Sequence, residues 1–284
     1  MNRIILGGAQ LGLPYGVLGT GEKLKSVEVK DLLDSAESIG IQTIDTAIAY
    51  GTSESVIGEY SNSRFKIITK LPPLPNDIDD VSGWVRQQID GSLARLQTKH
   101  IDALLLHHPQ DLTGEFGVKL NKVIGELLSE GVIKRFGVSI YSPDELTTIV
   151  GHFPIDIVQT PFNVFDQRIS PWLETLGRNG IEVHARSVFL QGLLISPAKA
   201  RPERFRKWEA QFKHFDNWVS ELSMSAISVC LGVALNQPGI SHLVVGALSS
   251  SQLLEIAAQI PNDFPHRSED MQSNDPALID PRVW

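Results

Sequence analysis

Short apolar runs alternate with amphipathic stretches along most of the chain. The runs are Ile4–Leu6, Thr43–Asp45, Phe65–Thr69, Ile101–Leu106, Phe136–Val138, Ile155–Gln159, Ile181–Ala185 and His242–Val245. Being apolar at nearly every position, they predict strands covered on both faces, as in a parallel sheet. Between them, Val29, Leu32, Leu33, Ala36 and Ile39 share one helical face, with Ser26 as the expected cap and Gly40 as the stop. Val81, Trp84, Val85, Ile89, Leu93 and Leu96 make a second stripe. Leu120, Val123, Ile124, Leu127 and Leu128 make a third, ended by Gly131. Helices are also predicted over Ser53–Tyr60, Ser170–Arg178, Ser225–Asn236 and Ser249–Gln259, and one opening at Ser142-Pro143, where proline takes the first helical position.

Eight strand–helix units in a chain of 284 residues most simply close into one α/β domain, a (β/α)8 TIM barrel spanning residues 1–284. An open doubly wound sheet is the alternative, and it expects Gly-x-Gly-x-x-Gly between the first strand and helix. Gly7-Gly8-Ala-Gln-Leu-Gly12 has glycines, but the long loop to Lys25 is wrong for a tight dinucleotide turn. Two segments fall outside the alternation. Arg201–Leu222, after strand seven, repeats Phe205, Trp208, Phe212, Phe215, Val219 and Leu222 at helical steps. Its stripe predicts packing against the barrel, and its place over the mouth suggests a lid. The tail over 261–284 is polar and proline-rich until Leu278, and is expected to wrap the outside and dock by Trp284.

A net charge of −8 leaves no excess of Lys and Arg to neutralise phosphates, which argues against a nucleic-acid partner. The single cysteine, Cys230, excludes an internal disulfide and a Cys-based zinc cage. No metal is expected, because the grouping of His107, His108 and Asp111 lacks convincing geometry for one. Nowhere do eighteen apolar residues follow one another, and Ile4–Leu6 is too short for a signal peptide's core, so a cytoplasmic protein without a membrane span is expected.

In such a barrel the loops leaving the carboxyl ends of the strands form the active site. Asp45, Lys70 and His107 end strands two, three and four, and Tyr50 lies in the loop after strand two. All four fall on one rim and can converge. A carbonyl accepts hydride readily only if its oxygen is protonated as charge develops there. A phenol can supply that proton, although its reference pKa of about 10 makes it a weak acid. An adjacent Lys70 ammonium is expected to lower that value, with Asp45 keeping the ammonium in place and charged. Neutral His107 can donate a hydrogen bond to the same oxygen. Each residue alone also has a structural reading: Asp45 as a loop cap, Tyr50-Gly51 as a turn, Lys70 as a solvated rim lysine, and His107 or His108 as a satisfied histidine. Their joint placement on consecutive strand ends favours the chemical reading.

Asp45-Thr-Ala-x-x-Tyr-Gly51, Ile68-Thr-Lys70, Asp102-Ala-Leu-Leu-Leu-His107-x-Pro109 and Gly131-x-Ile-Lys-x-Phe-Gly-Val-Ser139 resemble the motifs of the aldo-keto reductase superfamily. The resemblance runs from Leu6 to roughly Gln259 and is similar in particular to bacterial members. It implies a (β/α)8 barrel, NADP(H)-dependent interconversion of carbonyls and alcohols, a small-molecule carbonyl substrate, and Asp45, Tyr50, Lys70 and His107 as the catalytic tetrad with Tyr50 the general acid.

By the same resemblance, Ser139 and Gln159 would hydrogen-bond the nicotinamide carboxamide, while Ile140 stands where many members have Asn. Arg186 takes the place of an aromatic residue that stacks on the nicotinamide, which a planar guanidinium can also do. Ser187, Leu190, Gln191 and Gly192 match a loop along the pyrophosphate. After Gly246, where the family usually offers a Lys or Arg to the adenosine 2′-phosphate, this chain offers Ser249, Gln252 and Glu255. NADP(H) is therefore expected, with NAD(H) admitted if no basic residue from Lys199–Lys213 substitutes. Tyr15, Ile48, His108, Phe162 and Phe189 are expected to line the substrate pocket. Two rival readings keep the barrel: a non-catalytic or regulatory nicotinamide-binding protein with a weakened cofactor site, and an isomerase or lyase using Lys70 as a Schiff base.

Overall fold

The computed structural model describes residues 3–14, 24–61, 63–265 and 269–284. Strands β1 (Ile4–Gly7), β2 (Thr43–Asp45), β3 (Lys66–Leu71), β4 (Ala103–Leu106), β5 (Phe136–Ser139), β6 (Ile157–Pro161), β7 (Glu182–Arg186) and β8 (Ile240–Val245) close into a parallel barrel in sequence order. β8 pairs back onto β1 through Leu243 and Ile4. The pattern follows from the two covered faces. Ile5, Ile68, Ala103, Leu105 and Ile157 cluster as one inner layer with Val244 against them. Their neighbours Leu6, Ile44, Leu104, Leu106, Val138, Val158 and Leu243 belong to the larger outer core.

Two strands begin two residues later than the apolar runs suggest, because an aspartate ends the ladder. The Asp102 carboxylate accepts from the Ile67 N–H and the Asp156 carboxylate from the Phe136 N–H. Each thereby takes a donor that a longer strand would have paired.

The helices are α1 (Ala9–Gly12), α2 (Ser26–Ser38), α3 (Ser53–Tyr60), α4 (Val81–Leu96), α5 (Gly117–Ser129), α6 (Leu173–Arg178), α7 (Glu209–Glu221), α8 (Ala226–Leu235), α9 (Ser250–Ala258) and α10 (Pro276–Ile279). Ser26 is the first residue of α2 rather than its cap; the backbone N–H of Lys25 instead donates to Glu28. The helix expected after Ser142 stops as a 3-10 turn, Pro143–Leu146. Thr147, Thr148, Ile149 and Val150 follow it, and β-branched side chains are poor at propagating a helix.

The aromatic stripe of the segment after β7 faces inward. Phe212 and Phe215 lie 5.3 and 6.1 Å from Phe165, in the loop after β6, and Phe205 is buried. The carboxyl-terminal segment docks on the same insertion. Trp284 meets the edge of Phe205 at 4.9 Å, Trp208 donates to Asp275, and Leu278 and Ile279 are buried. Among the described residues no single helix is long and apolar enough to cross a membrane.

Candidate active site

Parallel pairing sends the carboxyl ends of all eight strands to one rim, and four of those ends are tied by side chains. Lys70 Nζ lies 2.6 Å from Asp45 Oδ2 and donates to the Thr46 carbonyl at 2.9 Å. Gln159 Nε2 donates to the other Asp45 oxygen at 2.7 Å, and Ser139 Oγ donates to Gln159 Oε1 at 3.4 Å. All four residues are buried, so each charge and amide needs these partners. The network joins β2, β3, β5 and β6.

Tyr50 is delivered by a turn. Its N–H donates to the Ala47 carbonyl, and its own carbonyl accepts from Ser53, the first residue of α3. Gly12 packs directly behind it, where a Cβ would stand 1.9 Å from the Tyr50 carbonyl oxygen. The Tyr50 and His107 rings lie 5.6 Å apart, and Lys70 Nζ is 5.2 Å from the centre of the Tyr50 ring. Asp45, Tyr50, Lys70 and His107 therefore share one corner of the rim.

The net shift of Tyr50 is upward, where the sequence predicts a fall. Burial pushes the phenol above its ordinary value, and the Asp45 carboxylate adds to the rise. Arg186 acts to lower it. Lys70 Nζ is held against Asp45 in direct contact. Burial pulls Lys70 itself below the ordinary lysine range, and Asp45 opposes that pull. His107 is held down to about 3 by burial, then by Lys70 and Arg186, so it is neutral across the physiological range.

A cavity of about 270 Å³ opens beside this corner. Asp45, Tyr50, Gln159 and Arg186 line one part of it. Gly7, Gly8 and Gly246 line it with backbone, and a Cβ at Gly246 would strike the Gln10 side chain at 1.9 Å. Ser187, Gln191 and Gly192 continue the wall with left-handed backbone at φ 58°, 54° and 95°. Successive residues of that kind turn backbone N–H groups toward a common concavity. Val188, Phe189, Ala247, Leu248, Gln252 and Ile256 also line it.

Other expected residues stand elsewhere. Leu190 is buried in the core. Ser249 caps α9 by accepting from the Gln252 N–H, and the Gln252 amide oxygen accepts from the Leu248 N–H, so both serve the loop and helix first. Glu255 is exposed and bonded to Gln259. Of the expected pocket residues, Phe189 lines the cavity, whereas Phe162 is fully buried in the core. His108 pairs with Asp111 at 2.8 Å, Ile48 is half-buried against the core, and Tyr15 lies outside the described residues.

Three of the basic residues between Lys199 and Lys213 are paired. Arg201 pairs with Asp216, Arg206 with Glu203 and Lys207 with Asp275. No residue of 201–222 lines the cavity. Lys70 does not line the cavity either. Val244, Val245 and Gln10 were missed in the sequence, although the Gly7-Gly8 pair signals a close backbone approach there. Also missed was the grouping of Glu182, His184 and His242 inside the barrel. Arg135 donates to Glu182 at 2.9 Å, and that fixed cation opposes a metal ion.

The sequence profile of the Aldo/keto reductase family matches residues 3–277. The chain is 29% identical over 272 residues to the uncharacterized oxidoreductase YqkF of Bacillus subtilis, covering 87% of this chain and 85% of that one. It is 27% identical over 227 residues to the NADH-specific methylglyoxal reductase of Escherichia coli, covering 68% and 69%. In structure it is similar to the holo form of aldo-keto reductase AKR11C1 from Bacillus halodurans, with a TM-score of 0.75 at 19% identity over 95% of this chain and 89% of the other. At that identity the structural likeness speaks for the fold alone.

Proposed function

The chain belongs to the aldo/keto reductase family, and we propose that within it the protein reduces an aldehyde, ketone or sugar-like carbonyl to an alcohol, with Tyr50 as the proton donor. The observation that carries this reading is the convergence of Tyr50, His107 and the Asp45–Lys70 pair beside one cavity. Members of the family are oxidoreductases that act on carbonyls with a nicotinamide cofactor. When bound, the reduced nicotinamide supplies the hydride.

The cavity fits a dinucleotide. Its wall at Gly7, Gly8 and Gly246 carries no side chain, and the left-handed run at Ser187, Gln191 and Gly192 suits a phosphate bridge. Gln159, which accepts from Ser139, lines the Tyr50 end, where an amide can be oriented. Tyr50 keeps its proton because it is buried, which is the state a general acid needs. Neutral His107 stands beside it to hydrogen-bond the same substrate oxygen. Asp45 and Lys70 fix the turn from behind through the Thr46 carbonyl.

The cofactor reading moves from NADP(H) toward NAD(H). Among the described residues Arg186 is the only lysine or arginine that lines the cavity, and it stands with Tyr50. Among the described residues nothing cationic lines the cavity around Ala247, Leu248, Gln252 and Ile256, and Arg201, Arg206 and Lys207 are paired elsewhere. A relative named as NADH-specific is consistent with this preference. Fluorescence titration with NADH and NADPH, followed by a panel of carbonyl substrates, tests the whole reading. NADH should bind the tighter of the two and turn over at least one aldehyde or ketone. Tyr50→Phe should lower kcat by about 100-fold or more without weakening the cofactor. Binding of neither dinucleotide would leave the regulatory or Schiff-base alternatives in its place.

A further inference from the structure

Arg186 ends β7 with its side chain held from two sides. Its Nη2 donates to the Ile140 carbonyl at 3.0 Å, and its guanidinium stacks 4.2 Å from the centre of the Tyr141 ring. The same ring carries a second guanidinium, Arg282 of the carboxyl-terminal segment, at 3.9 Å. Arg282 is clamped by Asp280, which accepts from its Nε and Nη2. Tyr141 is fixed through its backbone: Glu145 accepts from its N–H, and Arg168 donates to its carbonyl. Arg186 thus sits on a platform built from β5, the loop after it and the last residues of the chain.

The charge count at the rim gives this platform a purpose. Lys70 is paired with Asp45, and His107 and Tyr50 are neutral. Arg186 is half-buried, lines the cavity and has no carboxylate partner among the described residues, so one positive charge is left over. A guanidinium stays protonated in such a place. In carbonyl reduction the hydride forms a C–H bond at the carbonyl carbon while the Tyr50 proton moves to the oxygen. Tyr50 is left as a phenolate. We propose that Arg186 supplies the positive charge that stabilises the negative charge developing at Tyr50 and the carbonyl oxygen, and that Tyr141 and Arg282 are positioning residues that hold it there. This rests on the proposed carbonyl reduction. Asp45, Arg186 and Tyr141 act on Tyr50, with Lys70 and His107 packed against its ring, and Arg186 acts to lower the phenol. A preorganised cation outside water is worth far more than one in solvent.

The test uses the full chain with a neutral aldehyde, and circular dichroism to confirm folding of each variant. Arg186→Gln should lower kcat by about 10-fold or more with KM little changed, and Arg186→Lys should restore part of it. Alcohol oxidation, which needs the phenolate, should require a higher pH in Arg186→Gln than in the wild type. Arg282→Gln should lower kcat about threefold, and the double variant should be no slower than Arg186→Gln alone, because the second change acts through the first. Unchanged kcat, a loss confined to KM for carboxylate-bearing carbonyls, or additive losses in the double variant would overturn the proposal. Tyr50→Phe separates the two levels. If it is inactive while Arg186→Gln is normal, only this inference fails; if it turns over normally, the proposed reaction itself fails.

Discussion

Lys70 Nζ lies 2.6 Å from Asp45 Oδ2, and neither side chain is open to solvent. The contact makes Lys70 part of the scaffold beneath Tyr50. A buried pair of this kind costs little more than a hydrophobic replacement, but breaking it strands one charge. Lys70→Met should therefore destabilise the protein by about 3–5 kcal/mol. Asp45→Asn combined with Lys70→Met should recover part of that loss. Urea denaturation of the single and double variants measures both, and strict additivity would show that the pair is not coupled.

Gln159 completes the same carboxylate from the opposite side. Gln159→Leu keeps the volume but leaves Asp45 Oδ1 without its donor and Ser139 without its acceptor. The expected cost is about 1–3 kcal/mol, with weaker cofactor binding as well. A drop in thermal stability with unaltered cofactor affinity would confine Gln159 to the scaffold.

Gly12 is where Tyr50 can be displaced without touching its ring. A Cβ there would meet the Tyr50 carbonyl oxygen at 1.9 Å and the Ser53 N–H nitrogen at 2.3 Å. The turn must shift to admit it, and a shift of about 1 Å at a reacting group can cost 100-fold in rate. Gly12→Ala should depress kcat far more than it depresses the melting temperature. Steady-state kinetics beside a thermal melt decide the matter.

Acid should weaken the fold in a defined window. His107 is held at about 3 and His242 at about 4, the latter by burial and then by His184. Their unfolded values are about 6.5. Between the folded and unfolded values the unfolded chain binds more protons, so stability is present above about pH 6.5 and lost as the pH falls toward 4 and 3. Glu182 runs lower still: held at about 2, chiefly by its bond to His184, it loses its contribution only as the pH falls below about 4.5. Thermal melts from pH 7 to 4 should show a falling midpoint, and His242→Gln should flatten that fall.

Arg186 also bears on the redox state of whatever lies in the cavity. A fixed guanidinium on the lining should repel an oxidised, positively charged nicotinamide and spare the reduced ring. Dissociation constants for both forms should therefore move toward each other in Arg186→Gln, by several-fold in their ratio, from an oxidised-to-reduced ratio well above one. An unchanged ratio would dispose of the effect.

The barrel was legible in the sequence because each strand is covered on two faces, which writes burial into the chain as a continuous apolar run. Asp45, Lys70 and His107 stood out for the same reason: they are polar residues that break such runs where strands reach the rim. The partners of those residues were not legible. Gln159 meets Asp45 across 114 positions of chain, and Arg282 reaches Arg186 only through Tyr141. Phe162 and Phe189 look alike in the sequence, yet one is sealed in the core and the other faces the cavity. The acidity of Tyr50 is the clearest case. Residue types alone placed a lysine near a phenol, but the shift is a sum of burial and every nearby charge, and closure of the barrel decided how deeply the phenol is buried and that Asp45 and Arg186 would act on it with opposite signs.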